Sequence, residues 1–453
     1  MNPSPSPRHE PGAPADPTRR RLLAAAAAAG LAAGTPAIGA APRPSTAASA
    51  GAGWRIPGEF EAQRAIWLGY DTTLADTTAA LVRALAPFTP LVFLVPDEAA
   101  AAAAQELVAA QGLGHDGVRV LVEPTAMYYP RDGTVFATGP GRQLGVVDLR
   151  WSQYGVPAWC RRRHAGDARN ATACAANPDM SRDGLDRAVA RLADARVLPS
   201  ELASEGGSVE SNGQGLLIAC EAQLRTRNPG LSRSRLERLQ LALPGVRRVV
   251  WLPEGLAHDP HLRGTITGDY VAWGTGGHTD EFVRFTSPDT VMLAWPDDDD
   301  VRRHPVARLN RQRMQRNAEI LRRTRTLDGR PLRVLRVPTP RLVERRTVLS
   351  ADADRARFDE WTADFFPRAE RRREGDTVIQ VATVSYLNFV LANGVVVVPD
   401  YLAHGTPPEL QRRVQQLFEQ AFPGRAVVFV DALALNWLGG GLHCATLHEP
   451  LPR

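Results

Sequence analysis

The sequence predicts an α/β protein, because short apolar runs of strand length alternate with longer amphipathic runs along most of its 453 residues. Many of the strand-like runs are rich in valine and leucine and are bounded by glycine, proline or acidic residues, which is typical of strand ends. About 400 residues follow the N-terminal region, enough to build a large core in one or two domains. The predicted strands are 65–70, 91–95, 118–122, 144–149, 216–219, 249–252, 290–294, 332–337, 382–389, 395–398 and 426–430.

Helix-like segments lie between these strands. The predicted helices are 73–85, 98–111, 185–193, 232–242, 307–323 and 408–422. The segment 307–323 belongs to a basic stretch whose arginines alternate with Val306, Leu309, Met314 and Ile320. This pattern indicates a solvated face over an apolar stripe. No aromatic residues alternate with these arginines, so we expect no nucleic-acid partner.

The N-terminal region has the composition of an export signal. Arg19 and Arg20 precede an alanine run at 24–29, and small residues follow at 37–40. This order predicts a twin-arginine signal peptide over 1–40 and a Pro/Ser/Ala-rich flexible linker over 41–53, followed by a folded domain over 54–453. The apolar run is too short for a membrane span, so we expect no stable membrane anchor. The predicted partner is the twin-arginine export machinery, and the predicted location is periplasmic or secreted, in a bacterium.

The segment Gly439-Gly440-Gly441-Leu442-His443-Cys444 near the C-terminus contains a candidate nucleophile. Glycines allow the backbone to approach a thiol closely, and an imidazolium neighbour lowers the pKa of a thiol. The alternative is a buried cysteine beside a terminal strand. Of the other cysteines, Cys160 and Cys174 are close enough in sequence to form a disulfide in an exported protein, and Cys220 is expected to be a small buried residue.

Three further turns carry polar groups next to strand-like runs. They contain Asp132 after Arg131, Glu205 before two glycines, and His278 two residues before Asp280. If residues 278–280 are extended, the side chains of His278 and Asp280 share one face. Loops held by a rigid scaffold are where functional residues concentrate.

These residues match the chemical needs of guanidine hydrolysis. A guanidinium group is a permanent cation with five donors, so binding it in a dry cleft requires carboxylates. A thiolate is a strong nucleophile, and one histidine can act first as acid and then as base. The same groups can also bind zinc, but they lack paired metal-ligand spacing, and we expect neither metal nor cofactor.

The ordered set of motifs resembles the agmatine deiminase and bacterial peptidylarginine deiminase family of the guanidine-modifying pentein superfamily. The resemblance runs through almost the whole mature chain. It is carried by Pro57-Gly58-Glu59-Phe60-Glu61, Ile66-Trp67-Leu68-Gly69-Tyr70, Arg131-Asp132, Glu205-Gly206-Gly207-Ser208, Arg227-Asn228-Pro229, Val250-Trp251-Leu252-Pro253, Gly277-His278-Thr279-Asp280, Ser385-Tyr386-Leu387-Asn388-Phe389 and the segment that ends at Cys444.

This resemblance implies a pentein α/β propeller, in which five pseudo-symmetric ββαβ units surround a central active site. It implies that Cys444 forms a covalent amidino intermediate and that His278 is the acid and base. Asp132 and Asp280 would bind the guanidinium nitrogens. Glu205 would support His278 or the substrate, and Asn388 would lie near the nucleophile.

The chain departs from the family pattern where the substrate tail is expected to pass. Tyr129 stands where the family usually has tryptophan, and Trp151 begins a segment in place of a Phe-Asn-x-Trp-Gly segment. Residues 160–194 and 257–268 add length relative to compact members. We expect Tyr129 and Trp151 to face the ammonium of agmatine through cation–π contacts, whereas Arg150 would serve the carboxylate of an arginine substrate.

The resemblance therefore predicts an exported hydrolase that deiminates a guanidine to a ureido product and ammonia, with agmatine as the favoured substrate and N-carbamoylputrescine, a precursor in putrescine biosynthesis, as its product. Peptidylarginine or free arginine, which would yield citrulline, is the main alternative. An amidinotransferase and a guanidine-binding protein without turnover are further alternatives, although binding alone would not need Cys444 and His278.

Overall fold

A computed structural model describes residues 53–113, 117–175, 184–350, 361–366 and 370–453. The predicted signal peptide and residues 41–52 of the predicted linker lie outside these ranges. Within them, strands and helices alternate along the chain, as the sequence predicts. No helix of the described residues combines the length and apolarity needed to cross a membrane.

The strands begin ten residues after Gly53 and continue almost to the C-terminus. In chain order they are β1 (Gln63–Gly69), β2 (Leu91–Val95), β3 (Val118–Val122), β4 (Val135–Gly139), β5 (Gln143–Arg150), β6 (Arg196–Ala203), β7 (Glu210–Ser211), β8 (Leu216–Cys220), β9 (Arg248–Leu252), β10 (His261–Thr267), β11 (Tyr270–Thr275), β12 (Val283–Ser287), β13 (Thr290–Trp295), β14 (Arg333–Pro338), β15 (Glu344–Val348), β16 (Thr377–Val381), β17 (Val390–Leu391), β18 (Val395–Asp400), β19 (Ala426–Asp431) and β20 (Thr446–Pro450).

Each helix predicted from the sequence is present, and several begin at a side chain that accepts a hydrogen bond from the first turn. Asp97 and Ser232 cap two of them in this way, satisfying N–H groups that have no partner inside the helix. The helices are α1 (Ala75–Leu85), α2 (Glu98–Ala110), α3 (Val156–Arg163), α4 (Ala168–Ala175), α5 (Leu185–Leu192), α6 (Glu221–Arg227), α7 (Arg233–Leu241), α8 (Asp298–Arg303), α9 (Pro305–Arg323), α10 (Pro408–Ala421) and α11 (Leu433–Trp437).

Five sheets of the described residues share one arrangement, in which an antiparallel pair of strands is followed by a parallel neighbour. Their strand orders are β20-β1-β2-β3, β4-β5-β6, β7-β8-β9, β12-β13-β14 and β17-β18-β19. Parallel neighbours require a crossover, which is usually helical. Helices α1 and α2 provide these crossovers in the first sheet, and the other four sheets use α3 to α5, α6 with α7, α8 with α9, and α10. The central strands contain buried apolar runs because helices and other sheets cover both faces, as in the fully buried run Val395–Val398 of β18.

The C-terminal strand belongs to the first sheet. β20 runs antiparallel to β1, with Trp67 opposite Leu447, and the Trp67 indole N–H donates to Glu449 over 2.8 Å. This pairing brings the loop before β20, which carries Cys444, against the segment that precedes β1.

A further sheet has the order β10-β11-β16-β15, and its first strand lies within the predicted extra segment 257–268. This sheet has a small core of its own, formed by Val271, Leu349, Trp361, Phe366 and Val378. The ends of β10 and β11 reach the cavity described below. The sequence analysis predicted none of the four strands of this sheet. In β10 and β15, charged and polar residues interrupt any continuous apolar run.

One predicted strand is wrong. Residues 382–389 are a buried irregular segment between β16 and β17. Side chains take up its backbone hydrogen bonds: Ser385 accepts from the Leu387 N–H over 3.1 Å, and Tyr401 accepts from the Ser385 N–H over 3.1 Å. Local bonds of this kind compete with strand pairing.

Candidate active site

The predicted nucleophile lies in a glycine-rich loop between α11 and β20. Cys444 is 1 % exposed, and its Sγ is 3.3 Å from the Asn388 amide nitrogen and 3.5 Å from Asp280 Oδ2. A side chain at Gly441 would place Cβ 2.4 Å from Asn388 Oδ1, so this approach requires glycine. The loop therefore crowds the thiol, as the sequence suggests.

The electrostatic setting of the thiol differs from the sequence-based expectation. The imidazole of His443 does not lower the pKa of Cys444, because its two ring nitrogens face Asp280 and Glu59 over 2.8 and 2.7 Å. Burial, followed by the charges of Asp280 and Glu281, raises the pKa of Cys444 well above its usual value. The thiol is thus protonated when no cation is bound beside it, and a cation bound next to Cys444 would favour its ionisation.

His278 is fully buried and lies between two carboxylates. Its Nε2 is 3.1 Å from Glu205 Oε2, and its Nδ1 is 3.8 Å from Asp132 Oδ1. Burial opposes its charged form, but the hydrogen bond to Glu205 and the charges of Asp132, Glu205 and Asp280 raise the pKa of His278 to about 9. The imidazolium form, which can donate a proton, therefore dominates at neutral pH.

Glu205 supports this histidine from the turn Gly206–Ser208, which it precedes. Its carboxylate accepts from Arg227 Nε over 2.9 Å and from Gln223 Nε2 over 2.7 Å. Burial opposes ionisation, but Arg227 and His278 lower the pKa of Glu205 to about 2. Glu205 therefore stays ionised and holds His278 in its charged form.

Within the described residues, Asp132 and Asp280 each have one carboxylate oxygen in contact with another side chain and one without a hydrogen-bond partner. Asp132 Oδ2 accepts from the Tyr154 hydroxyl over 2.6 Å, and Asp280 Oδ2 contacts His443 Nδ1. Burial raises the pKa of Asp132 to about 6, although the charge of His278 and the hydrogen bond from Tyr154 act to lower it. Burial also opposes ionisation of Asp280, but the hydrogen bond and charge of His443 lower its pKa.

Several buried polar atoms around Cys444 have no hydrogen-bond partner in the described part of the chain. They are Asp132 Oδ1, Asp280 Oδ1, His278 Nδ1, Glu281 Oε2 and the Tyr129 hydroxyl oxygen. Native proteins leave few such groups, because each costs free energy unless a partner is supplied. A ligand rich in N–H donors would satisfy the carboxylate oxygens, and a guanidinium group is such a ligand.

The turn that carries His278 and Asp280 has a different conformation from the predicted one. Residues Thr279–Glu281 form a 3₁₀ turn, so the side chains of residues 278 and 280 do not alternate as in a strand. Both nevertheless reach the site, because His278 turns toward Glu205 while Asp280 turns toward Cys444.

A second layer of charged groups lies behind Asp280. Glu59, from the first motif of the sequence, contacts His443 and accepts from Arg131 Nη1 over 2.6 Å and from Arg284 Nη2 over 2.5 Å. Arg131 thus points away from the cleft, although it is the immediate neighbour of Asp132. This network fixes the ring of His443 and, through it, the orientation of Asp280.

Among the residues that the structure describes, two groups of three have side-chain atoms close enough to hold a metal ion. They are Asp280 with Glu281 and Cys444, and Glu59 with His443 and His448. Asn388 donates to both Glu281 and Cys444, and two arginines neutralise Glu59, so existing hydrogen bonds already engage these ligand atoms. That the enzyme needs neither metal nor cofactor remains a prediction.

A cavity of about 740 Å³ leads to the thiol. Its walls are largely aromatic and aliphatic, and Asp71 and Asp132 are its charged lining residues among those that the structure describes. The lining consists of Tyr70, Asp71, Thr73, Leu74, Leu94, Pro96, Ala126, Met127, Tyr128, Tyr129, Asp132, Tyr154, Leu262, Trp273, Gly274, Thr275, Leu438, Gly439, Gly440 and Cys444.

The predicted tail residues are only partly in this cavity. Tyr129 lines it, with its ring against Gly440. Trp151 does not belong to the lining and packs edge-on against Tyr154, with 5.0 Å between ring centroids. Arg150 is exposed at the end of β5, also outside the lining. Tyr154 therefore occupies the place predicted for Trp151.

The predicted disulfide segment flanks Tyr154. Cys160, in α3, is disulfide-bonded, whereas Cys220 and Cys444 are free. The side chain of the predicted partner, Cys174, lies outside the described part of the structure. Cys220 is fully buried, as predicted, and its burial raises the pKa of its thiol to about 11.

Comparisons with known proteins show the family to which the chain is related. The model of the Porphyromonas-type peptidyl-arginine deiminase family matches residues 55–450. A Streptomyces coelicolor protein provisionally named agmatine deiminase is 32% identical over 411 residues, covering 88% of this chain and 99% of its own. An agmatine deiminase of Pseudomonas aeruginosa is 27% identical over 415 residues, covering 88% and 96%.

Two solved structures share the fold. The agmatine deiminase of Enterococcus faecalis has a TM-score of 0.64 at 22% identity, covering 88% of this chain and 96% of its own. A Campylobacter jejuni agmatine deiminase with substrate bound has a TM-score of 0.62 at 16% identity, covering 88% and 97%.

The fold and the sequence relatives define an enzyme that hydrolyses C–N bonds of linear amidines. More narrowly, the chain belongs to the Porphyromonas-type peptidyl-arginine deiminase family. The family predicted from the sequence motifs is thus confirmed.

Proposed function

We propose that the protein deiminates agmatine, giving N-carbamoylputrescine and ammonia through a covalent amidino-cysteine intermediate. The observation that carries this proposal is the set of unpartnered buried oxygens on Asp132 and Asp280, beside Cys444 and a cationic His278. A guanidinium group bound by both carboxylates would place its central carbon near Cys444. The relatives named agmatine deiminase support the choice of substrate.

The first half-reaction forms a C–S bond and breaks a C–N bond. The substrate cation favours ionisation of Cys444, whose proton passes to solvent, and the thiolate then attacks the central carbon of the guanidinium group. His278 donates its proton to the leaving nitrogen, which departs as ammonia. The amidino group then remains on Cys444 and is still bound by Asp132 and Asp280.

The second half-reaction reverses these roles. The now neutral His278 accepts a proton from water while the water oxygen attacks the same carbon. The C–S bond then breaks, the added hydroxyl group loses its proton to solvent, and the ureido product leaves. The thiolate regains a proton from solvent once the product has left. Glu205 keeps the imidazole in position and favours its return to the cationic form.

The lining of the cavity supports agmatine over arginine. Agmatine ends in an ammonium group, whereas arginine ends in an ammonium and a carboxylate. No arginine of the described residues lines the cavity, so a substrate carboxylate would have no cationic partner there. Aromatic rings and Asp71 instead suit a cation.

One experiment tests this proposal. Purified enzyme is incubated with agmatine, free arginine and an arginine-bearing peptide, and ureido product is measured for each. Enzyme quenched during turnover is then analysed by mass spectrometry for an amidino adduct on Cys444. We expect the highest kcat/KM with agmatine, and a higher value with either other substrate would contradict the choice of agmatine.

The same proposal includes the finer architecture and the export route. The shared strand order of five sheets supports five pseudo-symmetric ββαβ units around the site. Arg19 and Arg20 support twin-arginine export to the periplasm or beyond, with cleavage near residue 40. Replacing both arginines by lysine should retain the enzyme in the cytoplasmic fraction, and unchanged export would contradict this route.

A further inference from the structure

Asp71 lines the same cavity as Cys444 but comes from a different part of the chain, the turn after β1. Its Oδ1 accepts from the backbone N–H and the hydroxyl of Thr73 over 2.8 and 2.6 Å. Its Oδ2 has no hydrogen bond or ion pair within the described residues, and the side chain is exposed to the cavity and to solvent. One carboxylate oxygen is therefore available to a ligand.

Aromatic rings stand next to this carboxylate. The charge of Asp71 adds to the burial that raises the pKa of Tyr128 to about 12, and it acts in the same direction on Tyr70. Both rings line the cavity. A cation bound between a carboxylate and aromatic faces gains from both, whereas an anion gains from neither.

We propose that Asp71, with Tyr70 and Tyr128, forms a subsite for a positively charged tail group of the substrate. This subsite selects guanidines that carry a second cation at the end away from the reaction. The inference rests on the proposed function, which it deepens by naming the residues that choose the tail. Asp71 also caps the 3₁₀ turn Thr72–Leu74, and the test must separate this structural role from ligand binding.

The variant Asp71→Asn makes this separation, because asparagine caps a helical turn about as well as aspartate but carries no charge. Asp97→Asn is a matched control. Asp97 is an exposed N-cap of α2, it accepts from the Ala100 N–H over 2.8 Å, and it is not part of the cavity lining. Circular dichroism and thermal unfolding should give the same result for both variants and the native enzyme.

The substrates are agmatine and n-butylguanidine, which has the same carbon chain without the ammonium group. For Asp71→Asn we expect kcat/KM with agmatine to fall by about two- to fivefold, mainly through an increase in KM. A fall of this magnitude corresponds to the loss of one exposed ion pair. The value with n-butylguanidine should not change, and Asp97→Asn should change neither. An equal change for both substrates, or none for agmatine, would overturn the subsite.

A binding measurement keeps the inference independent of turnover. Titration calorimetry of Cys444→Ser with each guanidine, in the presence and absence of Asp71→Asn, measures the same selectivity without chemistry. A loss of affinity confined to agmatine supports the subsite even if neither compound is converted by the native enzyme. In that case the proposed reaction fails while the subsite stands.

Discussion

Two parts of the cavity differ in how their polar groups are held: the surroundings of Cys444, called the reaction end here, and the subsite proposed at Asp71, called the tail end. At the reaction end, Asp132, Glu205, His278 and Asp280 are almost fully buried, and each is held by at least one other side chain. At the tail end, Asp71 is exposed, and Thr73 is its hydrogen-bond partner in the described part of the chain. Aromatic and aliphatic residues, not charged ones, make up most of the cavity lining.

The difference shows where binding energy and selectivity come from. A buried charge without a partner is costly, so the reaction end needs a cationic ligand to complete it. An exposed carboxylate is already solvated, so the tail end gains little from any single contact. Substitutions at the reaction end should therefore affect the reaction itself, whereas those at the tail end should shift preference among substrates.

The largest effect is expected from Cys444→Ser. A serine hydroxyl at neutral pH is a much weaker nucleophile than a thiolate, so kcat should fall at least about a thousandfold. Substrate affinity should survive, because the carboxylates remain. Cys220→Ala is the matched control, since Cys220 is also free and buried but has no predicted role. Appreciable turnover by Cys444→Ser would contradict the covalent mechanism.

The next largest effect is expected from Asp132→Asn and Asp280→Asn. Each removes one partner of a buried charge pair with the guanidinium group, at a cost of about 2–5 kcal/mol in transition-state binding. Both kcat and KM should change. Glu201→Asn serves as a control at an exposed carboxylate that is paired with Arg235 and is not part of the cavity lining. Near-normal rates in both aspartate variants would show that the guanidinium group binds elsewhere.

The reaction end was also the part that the sequence predicted best. Cys444, His278, Asp132, Asp280 and Glu205 come together as the motifs suggest, because each lies in a turn at the end of a short buried segment. The local sequence pattern was not sufficient to predict the setting of a side chain whose partner lies far away in the sequence. The pairing of His443 with Glu59, 384 positions away, removed the expected effect on the thiol pKa.

The residues at the tail end were harder to predict, because their positions depend on backbone turns and on partners that the local sequence pattern does not show. The sequence pointed to Trp151 and Arg150, but the backbone turn at Tyr154, with φ of 53°, directs Tyr154 to Asp132 and leaves its neighbours outside. In the sequence, Asp71 looks like an ordinary turn residue, and it does cap the turn Thr72–Leu74. The strand predicted at 382–389 failed because Ser385 and Tyr401 supply the hydrogen bonds that a neighbouring strand would otherwise supply.

The charge of His278 should make stability depend on pH. Its pKa is raised from 6.5 in the unfolded chain to about 9 in the folded protein, through Glu205, Asp132 and Asp280, despite burial. This stabilisation is fully present below pH 6.5 and is lost as pH rises through 9, a change of about 3 kcal/mol. Chemical denaturation at pH 6.5 and 9.5 should show this fall in the native protein and a smaller one in His278→Asn. Equal falls would place the imidazolium charge in doubt.

A smaller effect is expected from Tyr154→Phe. The lost hydroxyl helps to lower the pKa of Asp132, which burial raises to about 6, so that pKa should rise in the variant. The acid limb of kcat/KM should then move to higher pH, with a loss of about tenfold near pH 6 that shrinks as pH increases. Thr172→Val, at an exposed hydroxyl in α4, is a control for general effects on this segment. A uniform loss across the pH range would indicate that Tyr154 acts only on packing.

The smallest effect is expected from Arg150→Ala, and it bears directly on the choice of substrate. Arg150 is exposed at the end of β5 and does not line the cavity, so its removal should leave kcat/KM unchanged for both agmatine and arginine. Arg142→Ala, at an exposed arginine before β5, is the control for the general effect of removing one positive charge from the surface. If arginine were the better substrate and lost its advantage only in Arg150→Ala, the side chain would have to reach the substrate carboxylate. The cavity would then recognise an anion at its tail end, and both the preference for agmatine and the role of Asp71 would be wrong.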